Sequence, residues 1–387
     1  MRHLWCLSSL KRVRFNLVMN AINPSQITFA RIRRCLTKTK LAEALGVSGR
    51  TIQNYESGAS APDLEVLEKI AQRLNFPVQF FFLEEEMPRI GEHASSFRAL
   101  SKMTESMKNC AHHAGAMAFK INEWLEKRFN LPAVDLPDLC DLTPEEAAAT
   151  LRRMWGLGSA PIPNMVHLLE SKGIRVFSLV EEAREVDAFC TWHDGRPFVF
   201  LNTIKSAERS RFDAAHELGH LVRDVYSMQH GGVHTPEMER HANEFASAFL
   251  MPKESVVTNK PSAFTVKNLI KFKHYWGVSL AALAYRYHAL SQITDWHYRN
   301  LCIEIARQGF RTQEPEPMHR ETSQLLVKVF EYLRHKGIGR NDIAKDLCVH
   351  VSEINALTFN LTSLSVIQGS ATKTATSKKA KPNLRLA

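Results

Sequence analysis

The stretch His216-Glu217-Leu218-Gly219-His220 has the pattern HExxH. Residues four apart on a helix share a face, so His216 and His220 can both place an imidazole nitrogen on one metal ion. Glu217 then lies beside the metal, where its carboxylate can hold and deprotonate a water molecule. Zinc acidifies such a water and polarises a peptide carbonyl, so the pattern predicts hydrolysis with Glu217 as the general base.

A catalytic zinc site takes three protein ligands and keeps a fourth position open. Downstream, the segment PEMERHANEFASAFLMP predicts a second helix on which Glu239 shares a face with the small residues Ala242 and Ala246. Small residues let this helix pack closely on the first, so we expect Glu239 to be the third ligand and Asn243 to support a ligand from behind. The sequence leaves five other candidates for the third ligand: His241, Glu244, His230, His234 and Asp224.

Two extended segments precede the HExxH helix. The segments GIRVFSLV and DAFCTWHDGRPFVFLN predict strands, the second with a turn at residues 193–195. An edge strand over residues 197–202 would hold an extended substrate by backbone pairing. The central part of the chain is therefore predicted to be an α+β region.

A different pattern lies near the start of the chain. The segment TKTKLAEALGVSGRTIQNYESG is typical of a helix-turn-helix, in which Gly46 ends the first helix and Ser48 caps the second. Arginine reads guanine, and Asn or Gln reads adenine, in the major groove of double-stranded DNA. The predicted exposed side of the second helix carries Arg50, Thr51, Gln53 and Asn54. Lys38, at the start of the first helix, is placed for a phosphate.

Composition is consistent with these predictions. The chain has 387 residues, enough for two or three domains, and its net charge of +10 favours an anionic partner such as nucleic acid. No apolar run is long enough to cross a bilayer, so no membrane partner is expected. The seven cysteines are odd in number and form no CxxC pair, so we expect neither a disulfide framework nor a cysteine-based zinc cluster. A reducing cytoplasm is the expected location.

We divide the chain into six regions, in order along the sequence. They are a basic extension over 1–22, a helix-turn-helix domain over 23–83, a helical linker over 84–162, a metallopeptidase domain over 163–290, a helical region over 291–368 and a disordered basic tail over 369–387. Met19 is the expected start of the native chain.

The late segment NDIAKDLCVHVSEINAL is faintly similar to a second helix-turn-helix. Its predicted exposed positions lack a cluster of basic residues. We therefore favour a helical cap over the peptidase region for residues 321–368.

Residues 25–83 closely resemble the XRE (lambda-repressor-like) helix-turn-helix family. The matching pieces are LAEALGVSGRTIQNYESG and PDLEVLEKIAQRLNFPVQFF. This resemblance implies a DNA-binding domain of all-α fold.

Residues 95–320 strongly resemble the ImmA/IrrE family of metallo-endopeptidases. The matching pieces are SFRAL, DAFCTWHDGRPFVFLN, RFDAAHELGHLV, ERHANEFASAFLMP, WGVSLAALAYRYHAL and GFRTQEPEP. The resemblance implies a minimal zincin fold, zinc bound by His216, His220 and Glu239, and Glu217 as the catalytic base. Many relatives carry a histidine four residues after the second zinc histidine, where this chain has Asp224, and we do not expect a ligand there.

The sequence as a whole predicts a multi-domain protein with an all-α DNA reader, an α+β zincin domain and a helical C-terminal region. The predicted function is a DNA-binding regulator that is also a zinc endopeptidase acting on a repressor or another regulatory protein. Two alternatives remain open: a non-proteolytic transcription factor whose zinc domain senses or binds a partner, and a self-cleaving phage-type or antitoxin-like repressor. Repressors of this kind often bind two-fold DNA sites as dimers, so a homodimer is also considered.

Overall fold

The computed structural model describes residues 21–90, 95–97, 104–179, 186–225 and 235–361. Met19, His230, His234 and the tail over 369–387 lie outside these ranges. The chain forms two compact units. The described part of the first comprises residues 21–89, 104–123 and 333–361, and the rest belongs to the second.

The elements of the first unit are mostly short helices. In chain order they are α1 Pro24–Arg33, α2 Lys38–Leu45, α3 Gly49–Ser57, α4 Leu64–Leu74, a 3-10 turn Val78–Phe82 and the larger part of α5 Glu105–Glu126.

The second unit contains a four-stranded sheet and most of the remaining helices. They are β1 Ser95–Phe97, α6 Pro144–Met154, α7 Met165–Ser171, β2 Arg175–Ser178, β3 Ala188–His193, β4 Arg196–Leu201, α8 Ala207–Arg223, α9 Pro236–Leu250, α10 Lys253–Thr258, α11 Val266–Trp276, α12 Leu280–Ala289, α13 Asp295–Arg307 and most of α14 Gln324–His335. The last two helices, α15 Arg340–Asp346 and α16 Val351–Leu357, return to the first unit. No helix in the described ranges has the length and apolarity needed to span a bilayer.

The helix-turn-helix of the first unit follows from local chemistry. The Thr37 hydroxyl caps α2, and the Ser48 hydroxyl accepts from the amide of Thr51 at the start of α3. Gly46 ends α2 with φ of 67°, a left-handed conformation that costs glycine little. Leu41 and Ile52 are fully buried where α2 crosses α3. The predicted N-terminal all-α fold is confirmed.

The final helices differ from the sequence prediction. We expected residues 321–368 to cap the peptidase region, but α15 and α16 group with the helix-turn-helix. Glu353 of α16 is buried and forms ion pairs with Arg33 and Arg34 at the end of α1. A contact between residues so distant in sequence leaves no periodic signal, so the sequence pattern could not reveal it.

One pair of cysteines departs from the sequence prediction. Cys35 and Cys110 form a disulfide, with their Cα atoms 5.3 Å apart. The bond joins the residue two positions after α1 to α5, and 75 residues separate the partners. Such a pairing arises from the packing of α5 on α1 and is invisible to an inspection of cysteine spacing.

The sheet of the second unit has the strand order β1-β3-β4-β2. The hairpin β3–β4 is antiparallel, whereas β2 runs parallel to β4. Four phenylalanines, Phe177, Phe189, Phe198 and Phe200, are buried and form stacked ring pairs across the strands. The predicted edge strand over 197–202 is therefore wrong, because β4 is paired on both sides and β1 and β2 form the edges.

The helix with the HExxH pattern, α8, contacts β3 and β4. Ser206 caps its start, and β3 places Cys190 beneath it, with the thiol 3.6 Å from the main-chain oxygen of Glu217. Helix α9 packs along α8. The predicted layout of a small sheet with helices in the centre of the chain is confirmed.

Candidate metal centre and DNA-binding surface

Two helices bring together the three predicted metal ligands. His216 and His220 lie on the inner face of α8, and Glu239 lies in the first turn of α9. Both histidines are fully buried, and the side chain of Glu239 is 17% exposed. Among the described residues, these three form the one group of His, Cys, Asp or Glu side chains whose ligand atoms converge as a metal site requires.

The distances between the ligand atoms fit a tetrahedral metal. The Nε2 atoms of His216 and His220 are 3.1 Å apart, and the Glu239 oxygens are 3.4 and 3.3 Å from them. A tetrahedral zinc ion with ligands at about 2.0–2.1 Å would separate neighbouring ligand atoms by about 3.3 Å. Two imidazoles and one carboxylate are also a ligand set typical of catalytic zinc.

Close contact between α8 and α9 makes this convergence possible. A Cβ atom added to Gly219 would lie 3.0 Å from a ring carbon of Phe245 and 3.4 Å from the Cα of Ala242. Ala242 and Ala246 are buried on the facing side of α9. The small residues on both helices therefore allow the approach that carries Glu239 to the histidines.

Glu217 is fully buried beside this group. Neither of its carboxylate oxygens has a hydrogen-bond partner among the described residues. Burial raises the pKa of Glu217 to about 8, although the charge of His220 opposes the shift. An unpaired buried carboxylate is costly, so its position is suited to a group that binds in the site, such as a water molecule.

Asp224 occupies the far side of His220. Its Oδ2 is 2.6 Å from Nδ1 of the ring, while Nε2 of the same ring faces Glu239. Burial by itself lowers the pKa of His220. The hydrogen bonds with Asp224 and Glu239 outweigh this effect, so the net pKa is raised to about 10. The sequence alone makes Asp224, one turn after His220, only an alternative candidate for the third metal ligand. Its four-residue spacing from the histidine is the signal that could have identified the contact.

The remaining predicted residues of the site lie further from the convergence point. Asn243 donates its side-chain amide to the main-chain oxygen of Glu239 at 2.7 Å, so it contacts the backbone of that residue. On α9, Nε2 of His241 lies 3.7 Å from a Glu237 oxygen. Glu244 forms an ion pair with Arg240 on the same helix. His230 and His234 lie outside the described residues.

The predicted DNA-reading residues cluster on α3 and the start of α2. Arg50 and Gln53 are exposed, whereas Thr51 and Asn54 are half-buried. The Thr51 hydroxyl is 2.9 Å from that of Ser48.

The Lys38 ammonium donates to the Gln53 amide oxygen and lies 3.7 Å from Glu56. The guanidinium group of Arg31 in α1 donates to both carboxylate oxygens of Glu56, at 2.5 and 3.0 Å. These contacts present Lys38 and Gln53 together at one surface.

Comparisons with known proteins agree with the predictions for the helix-turn-helix region and for the peptidase region. Residues 29–81 match the family described as Helix-turn-helix, and residues 169–288 match Peptidase M78, described as the IrrE N-terminal-like domain. An uncharacterised HTH-type transcriptional regulator of Sinorhizobium medicae (strain WSM419) is 40% identical over 58 residues. A similarly named protein of Rhizobium meliloti (strain 1021) has the same identity over the same length.

These alignments cover 15% of this chain and 42% of each relative. The similarity to the relatives therefore extends over less than half of their length. Together, the comparisons and the fold show that the chain combines an XRE-type helix-turn-helix domain of transcriptional regulators with a domain of the IrrE-like peptidase family M78.

Proposed function

We propose that this protein is a DNA-binding transcriptional regulator that also acts as a zinc-dependent endopeptidase. The observation that carries the proposal is the buried group of His216, His220 and Glu239 beside the unpaired carboxylate of Glu217. A structural zinc site is closed by four protein ligands, whereas three ligands leave a position open for chemistry. Bound zinc would supply Lewis-acid polarisation of a peptide carbonyl and a lowered pKa of water.

Glu217 and Asp224 would have separate roles in hydrolysis. Glu217, buried beside the metal ligands, would take a proton from the attacking water and later pass it to the leaving amine. Asp224 would keep the Nε2 atom of His220 directed at the metal. Burial of the site keeps bulk water from screening these charges.

The helix-turn-helix supports the other half of the proposal. Arg50, Thr51, Gln53 and Asn54 would read bases, and Lys38 would contact a phosphate. We infer that the protein substrate is another DNA-bound regulator, because tethering to a shared DNA site raises its effective concentration near the peptidase.

The first test is the metal content of the purified full-length chain. We expect about one zinc per chain, lost in Glu239→Ala. The control is Glu244→Ala, on the same helix, because Glu244 is paired with Arg240 on the surface and should not affect the metal. A wild-type chain without zinc after resupply, or equal zinc in both variants, would contradict the proposed ligand set.

A further inference from the structure

The C-terminal helices α15 and α16 repeat the backbone geometry of the helix-turn-helix formed by α2 and α3. In both motifs, the residue at the turn is left-handed: φ is 67° at Gly46 and 51° at Cys348. In each motif, the main-chain amide of the valine that follows donates to the main-chain oxygen of the alanine five positions earlier. These bonds are Val47 to Ala42 at 3.0 Å and Val349 to Ala344 at 2.9 Å.

The buried positions of the two motifs also correspond. Ile354 of α16 aligns with Ile52 of α3, and both are fully buried. On the first helix of each motif, Ile343 aligns with Leu41, and both are buried. The two motifs are therefore similar in fold as well as in sequence. The sequence pattern of the second motif is weaker than that of the first because Cys348 replaces the usual glycine.

The outward faces of the two second helices are occupied differently. Arg50 and Gln53 of α3 are exposed. On α16, the position aligned with Thr51 is Glu353, which is 3% exposed. Its two oxygens accept from Arg33 at 2.6 Å and from Arg34 at 3.0 Å.

A second contact extends this interface. Ser352 of α16, aligned with Arg50, lies with its hydroxyl 3.3 Å from the side-chain amide of Asn75, the residue that ends α4. Arg34 also donates to the main-chain oxygens of Leu74 and Asn75. The first turn of α16 therefore lies against the ends of α1 and α4.

Charge argues against DNA as the ligand of this helix. A carboxylate at the centre of a DNA-reading face would be repelled by phosphates, whereas it is attracted by two guanidinium groups. Arg33 is 1% exposed, and a buried charge without its partner is strongly destabilising. The chemistry of α16 thus fits a basic protein surface.

We propose that α15–α16 is a second helix-turn-helix that binds protein instead of DNA. Its second helix docks through Glu353 on the ends of α1 and α4 of the DNA-binding domain in the same chain. Among the described helices, α3 is then the one that reads DNA, and the C-terminal motif stabilises the domain that carries it.

Amide hydrogen exchange on the full-length chain tests the docking. In Glu353→Gln, we expect the amides of α16 and of the end of α1 to exchange at least about tenfold faster, because two guanidinium groups lose their counter-charge. Glu43→Gln, an exposed position on α2, is the matched control and should leave these amides unchanged. Unchanged exchange in Glu353→Gln, or a wild-type α16 that exchanges like an unfolded peptide, would overturn the proposal.

A binding experiment separates protein docking from DNA reading. The wild-type chain selects duplexes from a randomised library, and their affinity is then measured for Gln53→Ala and for Asn355→Ala at the aligned position of α16. We expect a loss of about tenfold or more for Gln53→Ala and less than about twofold for Asn355→Ala.

Equal losses in the two variants would overturn the proposal. A loss in neither would count against DNA reading by α3, which belongs to the proposed function, and hydrogen exchange would still decide the docking.

Discussion

His220 is held between two carboxylates on opposite sides of its ring. Asp224 lies 2.6 Å from Nδ1, and Glu239 lies 3.3 Å from Nε2. A hydrogen bond from Nδ1 to a carboxylate places the proton on that nitrogen and leaves Nε2 with its lone pair for a metal. Asp224 is thus a group that can orient His220 as a zinc ligand.

Removing the charge of Asp224 should weaken zinc binding. For Asp224→Asn we expect about 10–100-fold lower zinc affinity, measured by competition with a chelator. Asp295→Asn is the control, because it disrupts another 2.6 Å contact between aspartate and histidine, to His288, away from the metal ligands. Equal affinity in Asp224→Asn and the wild type would show that Asp224 does not orient the ligand.

Replacing Glu217 should separate metal binding from turnover. Glu217→Gln keeps the size of the side chain but cannot take a proton, so we expect zinc to remain and peptide hydrolysis to fall by about 100-fold or more. Zinc is measured by elemental analysis and hydrolysis by mass spectrometry of products from a substrate regulator. Full activity in this variant would rule out Glu217 as the base. Zinc without turnover in both proteins would instead favour a sensor domain.

Adding a methyl group between α8 and α9 should disturb both stability and metal binding. In Gly219→Ala the new Cβ would lie 3.0 Å from the ring of Phe245 and 3.4 Å from the Cα of Ala242, so the facing side of α9, the helix that carries Glu239, must give way by a few tenths of an ångström. We expect a loss of about 1–3 kcal/mol in the free energy of unfolding, together with weaker zinc binding. Denaturant titration and chelator competition measure the two effects. Gly49→Ala, which meets no atom within 4 Å, should lose neither.

Lys38 should contribute to DNA affinity without contributing to sequence preference. Because it is placed for a phosphate, Lys38→Ala should weaken binding to all sequences alike and reduce the slope of log affinity against log salt by about 1. Arg50→Ala should instead relax the preference at one base position, at a cost of about 1–3 kcal/mol. Binding isotherms at several salt concentrations distinguish the two. A change of sequence preference in Lys38→Ala would contradict its assignment.

Glu170 should make stability depend on pH. Burial raises its pKa from the ordinary value of 4.5 to about 7, although hydrogen bonds from Ser323 and from the amides of Gln324 and Leu325 oppose the shift. The folded chain therefore holds a proton that the unfolded chain releases above pH 4.5. The stabilisation is present below that pH and is lost as pH rises through about 7, by on the order of 3 kcal/mol.

Denaturant unfolding at several pH values measures this effect. The decline between pH 4.5 and 7 should be smaller in Glu170→Gln than in the wild type. The exposed Glu331→Gln should keep the wild-type profile. Parallel profiles for Glu170→Gln and the wild type would rule out Glu170 as the titrating group.

Local patterns in the sequence determined much of this protein. The turn of the helix-turn-helix, with Gly46 and Ser48, and the spacing of His216 and His220 on one helix depend on residues within a few positions of each other. Backbone conformation and helical periodicity act over that range, so the sequence predicts them directly.

Contacts between distant parts of the chain were decided only by the tertiary structure. The sequence left several candidates for the third ligand, and the packing of α9 on α8 places Glu239 beside the two histidines. The interior position of β4, the disulfide of Cys35 and Cys110, and the docking of Glu353 on Arg33 have the same origin. Each depends on how separate elements pack, and a contact between elements leaves no periodic signal in a single sequence.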